Sequence, residues 1–378
     1  MSNHDLRYVA PELRERTKLA MDEAYLSQRE LTITSYKDAV ISPGAGVFDS
    51  YGKYICGTSV HDGWPWEGGQ RPEIKVNQHL DVVYLGTFNS CWGHCLTDCL
   101  QRLWFKKSPD VSDQVKTLPF VYSVSPPDAQ LPQNFFELLS VLEFDLKRMI
   151  RVNEPVQFNR VYLPDSCFYR DQGKNLRQFT EEYRTMIKMI ANRICPFREI
   201  PRRSVYFSRV GWKSKKEIGE CRIENEFRRI GYEIIYPERM TLHETVRVLM
   251  SCKRFSSTDG SIAHNVVFLP EGTEVAIIRK ANYINEYQDC VNSAAGVNVT
   301  YIDANRSNML YNIQRPWYGP FFLYVNKRFA DFSQGASYFP IFDYSYYCII
   351  SVLKRVRTWL ARTFIGDLKR TLFNKTKI

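Results

Sequence analysis

The sequence predicts an α/β protein of two Rossmann-like domains facing a cleft, with a basic amphipathic helix appended at the C-terminus. Three observations lead there. From Leu80 onward, short apolar runs alternate with stretches of helical periodicity, the pattern of β-α-β units and parallel sheets. The alternation comes in two series, separated by the Pro- and Arg-containing stretch 195–203. Beyond Tyr346 the composition changes, with eight Lys and Arg against Asp367 alone.

The elements follow in order. A charged opening leads into a helix over 11–25, and residues 30–75, rich in Gly and Pro, read as short strands and loops. Residues 81–86 form an apolar run suited to a buried strand, followed by a turn at 87–90. Trp92, Leu96, Cys99, Leu100 and Leu103 set a helical period over 92–105, and 118–124 reads as the next strand. Helix 135–146, strand 156–163 and helix 176–194 extend the series. The second series comprises strand 204–208, helix 217–230, strand 232–236 and helix 242–252. It continues with a short strand near Phe255, a helix opening at Gly260–Ser261, strand 274–279 and a last strand over 297–303. The expected organisation is an N-terminal domain over 1–198, a second domain over 199–320 and an extension over 321–378. Ligands of such folds bind outside the carboxyl ends of the strands, so the cleft between the domains is where chemistry is expected.

Composition narrows the function. With 378 residues, 44% hydrophobic and 24% charged, the chain is an ordinary folded one with room for two cores. No apolar run approaches the ~18–20 residues of a membrane span. The N-terminus is polar and lacks a signal-like apolar segment, and ten cysteines are too sparse for a disulfide scaffold. These features lead to the expectation of an intracellular protein with free thiols. The net charge of +10 belongs mostly to the tail, where residues 346–378 carry +7, leaving +3 for the rest. A nucleic-acid-binding body is therefore not expected.

In that tail, Ile349, Leu353, Val356, Leu360, Phe364, Leu368 and Leu372 recur at three or four residues and share one helix face. Over 349–373 such a helix would be roughly 37 Å long. A basic helix with an apolar stripe suits an anionic membrane interface. The alternative is a helix packed on the body with its charges solvated, and Gly366 interrupts the pattern.

Three constellations offer chemistry. In Ser90-Cys-Trp-Gly-His-Cys-Leu-Thr-Asp98, His94 and Asp98 stand at i and i+4, with Cβ atoms ~5–6 Å apart on one helix face. Such a pair deprotonates a hydroxyl, either residue serving as the base, or else is a capping His beside a solvated Asp. Cys91, Cys95 and Cys99 stack at the same spacing but lack the tighter pairs of metal sites, so they read as packing residues. Second, a strand ending in Ser208-Arg209, followed by Trp212, Lys213, Lys215 and Lys216 and by Arg222, delivers cations to a sheet edge, where they face either a diphosphate or solvent. Third, Ser256-Ser-Thr-Asp-Gly-Ser261 runs into His264 and Asn265, a small polar turn suited either to an anion or to plain helix capping.

Together these residues resemble glycosyltransferase family 61, whose bacterial members are often capsular polysaccharide biosynthesis proteins. The family's H-x-x-x-D with an Arg-Leu step is similar to His94, Asp98 and Arg102-Leu103. Its strand-end Arg and Arg-x-x-Asn-Glu are similar to Arg209, Arg222, Asn225 and Glu226. Its Gly-x-x-x-x-Asn-x-x-Phe block and Gly-Thr turn are similar to Gly260, Asn265, Phe268, Gly272 and Thr273. Two positions depart from the pattern: Asp259 where His is frequent, and Thr245 where Gln is common.

The resemblance implies a GT-B fold and an inverting transfer from a nucleotide sugar to a glycan hydroxyl, without an essential metal or other cofactor. It implies His94 and Asp98 as the catalytic pair, and Arg209, Lys213, Arg222, Glu238, Asp259, Gly260, Ser261, His264 and Asn265 around the donor, with Glu238 on the ribose. It further implies a peripheral enzyme at the cytoplasmic face of a bacterial membrane, acting on a lipid-linked acceptor, with the tail as its anchor. The rival expectations are a pyruvyl or phosphosugar transferase on a similar fold, and a membrane- or nucleic-acid-binding protein led by the tail.

Overall fold

A computed structural model of the protein describes residues 5–58, 72–171, 176–196, 200–212, 217–306 and 319–375. Its main elements are two sheets with helices between them. The second sheet is the simpler. Five strands run in the order Glu233–Ile235, Arg203–Phe207, Cys252–Thr258, Glu274–Arg279 and Asn298–Asp303. All neighbours are parallel. Numbered by their appearance in the chain, the order is 2-1-3-4-5, so the winding reverses between Arg203–Phe207 and Cys252–Thr258. Both faces are covered, which is why these strands read as nearly unbroken apolar runs.

The first sheet departs from the all-parallel expectation. Its seven strands follow the path Gly46–Phe48, Val40–Ser42, Val156–Pro164, Val76–Asn89, Phe120–Ser125 and Met149–Arg151, with Ile33–Lys37 also paired to Val156–Pro164. Val76–Asn89 is parallel to its two neighbours. Ile33–Lys37 and Val40–Ser42 run antiparallel to Val156–Pro164. The Gly-rich stretch explains the mixture: Gly44 and Gly46 have φ of +71° and +91° and turn the chain between two short strands, and only an antiparallel pair closes over so short a connection.

Helices Gln133–Val141, Glu181–Ile194 and Leu242–Met250 and the 3₁₀ segment Ala263–Phe268 occupy the space between the sheets. Their buried side chains, Leu138, Ile187, Leu242 and Val266 among them, join Leu85 and Phe88 of the first sheet and Phe207 and Ile277 of the second in one apolar cluster. Each such side chain is worth ~1.5–3 kcal/mol on burial. Leu242–Met250 starts on a capping box in which Thr241 and Glu244 satisfy each other's backbone N–H groups.

Several helices are shorter than their periodicity suggests. The 92–105 pattern yields a helix only over Trp92–Thr97, after which Asp98 N–H and Cys99 N–H both donate to the His94 carbonyl and the ladder ends. The break frees Arg102 to reach the carbonyls of Pro164 and Gly57. Leu176–Phe179 is a strand of a hairpin rather than the start of the helix Glu181–Ile194. The helix expected to open at Gly260–Ser261 is a turn followed by the 3₁₀ segment.

The C-terminal helix, Ile341–Lys375, is longer than the 349–373 expected. It docks through buried Tyr347, whose ring stacks on Phe322, and through Asp343, which accepts from Arg222 Nε at 2.9 Å. The expected stripe is not the docking face: Ile349, Leu353, Val356 and Leu360 are exposed, as are Phe342, Tyr346 and Trp359, and the side chains of Phe364, Leu368 and Leu372 lie outside the described ones. Among the described residues, no helix is long and apolar enough to cross a membrane.

Candidate active site

The reversal in strand order leaves a crevice at the carboxyl edge of the second sheet, the usual ligand position in open parallel sheets. One side is the Ser208–Arg209 end of its first strand; the other is the Asp259-Gly260-Ser261 turn after its third. The first sheet supplies the opposing wall, where Val76–Asn89 ends and Ser90-Cys91 turns into the helix Trp92–Thr97. Between them lies a cavity of about 440 Å³, lined by Cys91, Trp92, Arg209, Trp212, Glu238 and Ser261 among others. A larger open groove of about 830 Å³ lies at the amino-terminal edge of the second sheet, beside Glu274 and Asn298. It faces none of the strand ends that converge on the smaller cavity, so we place the site in the smaller one.

The two walls meet closely. Trp92 Nε1 donates to Asn265 Oδ1 at 3.0 Å, and Cys91 Sγ lies 3.2 Å from Ser261 Oγ. A Cβ on Gly93 would fall 2.7 Å from Ser261 Oγ and 2.9 Å from His264 Cδ2, so only glycine permits this approach.

His94 and Asp98 form a hydrogen-bonded pair, Nδ1 to Oδ2. A carboxylate only accepts, so the imidazole proton sits on Nδ1 and Nε2 carries the ring's lone pair. The His94 side chain is 39% exposed and that of Asp98 17%, which makes the imidazole the more accessible partner. The hydrogen bond to Asp98 raises the His94 pKa above its ordinary 6.5, against the opposing effect of burial. The second carboxylate oxygen of Asp98 accepts from Tyr287 OH at 3.0 Å, and Gln101 Nε2 lies 3.5 Å from it. Gln101 is in turn held by Ser166 Oγ at 2.6 Å. Asp98 is thus the more anchored member of the pair and His94 the more exposed.

His94 and Asp98 are not among the residues that line the cavity; on its second-sheet wall, Arg209 Nη1 donates to Glu217 Oε1 at 3.1 Å, and Lys280 Nζ donates to the same oxygen at 3.0 Å. The backbone N–H of Arg209 is bound by Glu220, whose carboxyl is pushed by burial up to about 7. Glu238 lines the cavity, and neither of its carboxylate oxygens has a hydrogen-bond partner among the described residues.

The remaining donor-side candidates divide. Ser261 and Asn265 line the cavity, although both amide ends of Asn265 are engaged, by Trp92 and by the Ile262 carbonyl. Gly260 forms the turn with φ of +109°, and Asp259 caps it, bonding Gly260 N–H at 2.6 Å and Asn285 Nδ2 at 3.1 Å. His264 is buried behind Gly93, and desolvation lowers its pKa to about 4, so it is neutral and supplies no charge. Arg222 points to Asp343 and lies over the Tyr338 ring, at the root of the C-terminal helix and not on the cavity wall. Asn225 and Glu226 pair with Arg228 and Arg229 on their own helix. Lys213 lies outside the described residues. Cys95 and Cys99 are buried against Asn89. Among the described residues, no three His, Cys, Asp or Glu side chains converge as metal ligands do.

Sequence reasoning missed Tyr287, Gln101, Glu217 and Lys280. Lys280 alone had a local signal, being the residue that follows a well-marked strand.

The structure is a mixed α/β fold in which the helix bearing the His94–Asp98 pair starts at one wall of the cavity and Arg209 stands on the other. Residues 92–276 match the family model of glycosyltransferase 61, and this supports a glycosyltransferase. The matched stretch begins at the helix of His94 and ends in the fourth strand of the second sheet, so it takes in both walls of the cavity. No curated protein matches the chain.

Proposed function

We propose that the protein is an inverting, GT-B-type glycosyltransferase that moves a sugar from a nucleotide-activated donor to a hydroxyl of a glycan acceptor. The observation that carries this reading is the hydrogen-bonded His94–Asp98 pair, on the helix that starts at Cys91 and Trp92 of the cavity wall, in a cavity whose lining also includes Arg209 at the strand reversal. The acceptor oxygen attacks the anomeric carbon opposite the leaving group. As that C–O bond forms, the bond to the donor diphosphate breaks and the diphosphate departs with the electron pair. The acceptor proton passes to His94 Nε2, and Asp98 holds the ring and stabilises the imidazolium. Arg209 supplies positive charge where the diphosphate becomes more negative, and Glu238 accepts from the ribose hydroxyls. This scheme needs no bound metal. Domains 1–198 and 199–320 then correspond to acceptor and donor sides.

The exposed apolar stripe and basic residues of Ile341–Lys375 favour a peripheral position on an anionic membrane, as suits a lipid-linked acceptor in cell-surface (capsular or O-antigen type) polysaccharide synthesis at the inner face of a bacterial membrane.

A thermal-shift screen against nucleoside diphosphates and nucleotide sugars, with and without EDTA, tests the reading. A ligand at ~100 times its Kd adds about 2.7 kcal/mol of stability. A selective shift that survives EDTA, followed by transfer to a glycan, is expected. Absence of any nucleotide shift alongside a shift with anionic vesicles sinks the enzyme reading in favour of a membrane-binding module.

A further inference from the structure

We infer that Lys280, against the turn that borders this cavity, is a second diphosphate-binding residue and that Glu217 is the counter-charge that limits how tightly the diphosphate is held. The inference rests on the nucleotide-sugar reading above, and it concerns a residue beyond the stretch that matches the family. Lys280 follows the strand Glu274–Arg279, which lies beside Cys252–Thr258 with Ile278 opposite Thr258. It therefore leaves the sheet next to the Asp259-Gly260-Ser261 turn. Its ammonium lies over that turn: a Cβ on Gly260 would fall 3.1 Å from Nζ. On another side it meets the face of Phe321, 4.7 Å from the ring centroid.

The Lys280 side chain is 12% exposed, and an ammonium this shielded needs compensation. Among the described residues its one hydrogen-bond partner is Glu217, which is buried and gives the same oxygen to Arg209. One carboxylate thus serves two cations. Burial pushes the Glu220 carboxyl up to about 7, and Asp259 accepts from Gly260 N–H and Asn285 Nδ2. The ammonium has three donors and spends one on Glu217. Arg209 and Lys280 thus converge on one carboxylate beside the point where the two strand ends part, the position of a phosphate group in this sheet order. Glu217 holds Arg209 and Lys280 together in the absence of ligand. It also weakens their grip on a product that must leave.

The two residues make opposite predictions, which general damage to the fold cannot imitate. Binding of uridine, guanosine and cytidine diphosphates, the parent nucleosides and pyrophosphate is measured calorimetrically on the full chain and its variants. Lys280→Gln is expected to weaken the preferred diphosphate about tenfold or more while leaving its nucleoside unchanged. Lys280→Arg is expected to restore part of the loss. Glu217→Gln keeps the carbonyl acceptor, removes the negative charge and is expected to tighten diphosphate binding several-fold. The inference is overturned if Lys280→Gln binds the diphosphate within twofold of the parent, or if both variants weaken diphosphate and nucleoside alike. If the unaltered protein binds no nucleotide, the donor reading falls and this inference with it.

Discussion

Tyr287 OH donates to Asp98 Oδ1 at 3.0 Å, while the other oxygen of the same carboxylate holds His94. The two partners of Asp98 come from different halves of the molecule. His94 rides on the helix after strand Val76–Asn89 of the first sheet, and Tyr287 opens the helix Glu286–Ala295 between the fourth and fifth strands of the second. The Tyr287 ring is itself fixed, stacked on Phe168 at 4.6 Å. The His94–Asp98 pair is therefore held from the second-sheet half as well as from the first. Tyr287→Phe keeps the stack and removes one hydrogen bond to a carboxylate, an interaction worth ~1.5–3 kcal/mol. A fall in kcat of about ten- to a hundredfold is expected, with the donor KM unchanged. A full rate in this variant would mean that Tyr287 only fills space.

Because Asp98 raises the His94 pKa, the base is neutral only above a pH higher than the ordinary 6.5. Activity is expected to fall as pH drops through that raised value, so the acidic limb of kcat/KM should lie above pH 6.5. Asp98→Asn removes the negative charge and the preference for the Nδ1 proton. The rate should fall by about 10³–10⁴, as for other dyads that lose their carboxylate. The residual activity should show its acidic limb at lower pH, because the group that raised the pKa is gone. His94→Ala should abolish transfer while the melting temperature holds. An unmoved acidic limb in Asp98→Asn would assign the titration to another group.

The second sheet was legible because buried parallel strands are apolar throughout and bounded by turn residues; the expected strand 274–279 coincides with Glu274–Arg279. Its strand ends then placed Arg209 and Gly260 at one crevice. What remained hidden was encoded between distant parts of the chain. The helix Glu286–Ala295 has a polar sequence, Glu-Tyr-Gln-Asp-Cys-Val-Asn-Ser, with no apolar stripe to announce it. Its Tyr287 contacts a carboxylate 189 residues away, and no local period records that. The antiparallel strands of the first sheet were blurred by the glycines that make their hairpin possible. The 92–105 period failed because core packing continues through the 3₁₀ segment Trp104–Lys106, so apolar spacing outlasts the helix.

Gly93 sets how closely the two walls approach. In Gly93→Ala the new methyl would lie within 3 Å of Ser261 Oγ, Ser261 Cβ and His264 Cδ2. None of these is the end of a long flexible chain, so the walls must part. Overpacking of this kind costs about 1–3 kcal/mol, which a denaturation midpoint will register. Ser261→Gly added to Gly93→Ala removes two of the three clashes and is expected to recover part of the loss. A double variant no better than the single one would show that the two residues are not coupled.

The C-terminal helix presents two faces with different duties. Tyr347 and Asp343 tie it to Phe322 and Arg222, whereas Leu353, Val356 and Trp359 are exposed next to Arg355 and Arg357. Single exposed apolar residues are ordinary, but a row of them beside cations suits a lipid surface, where each basic residue adds ~1 kcal/mol at an anionic leaflet. Leu353→Asp with Val356→Asp leaves the anchoring contacts alone and opposes that surface by both charge and polarity. Co-sedimentation with phosphatidylglycerol-containing vesicles is expected to fall at least tenfold, with the melting temperature and transfer to a soluble acceptor unchanged. Because the cationic share of the attraction is screened, binding of the unaltered protein should also weaken as salt rises. Retention of full vesicle binding by the double variant would remove the helix from the anchoring role, even if the transferase activity stands.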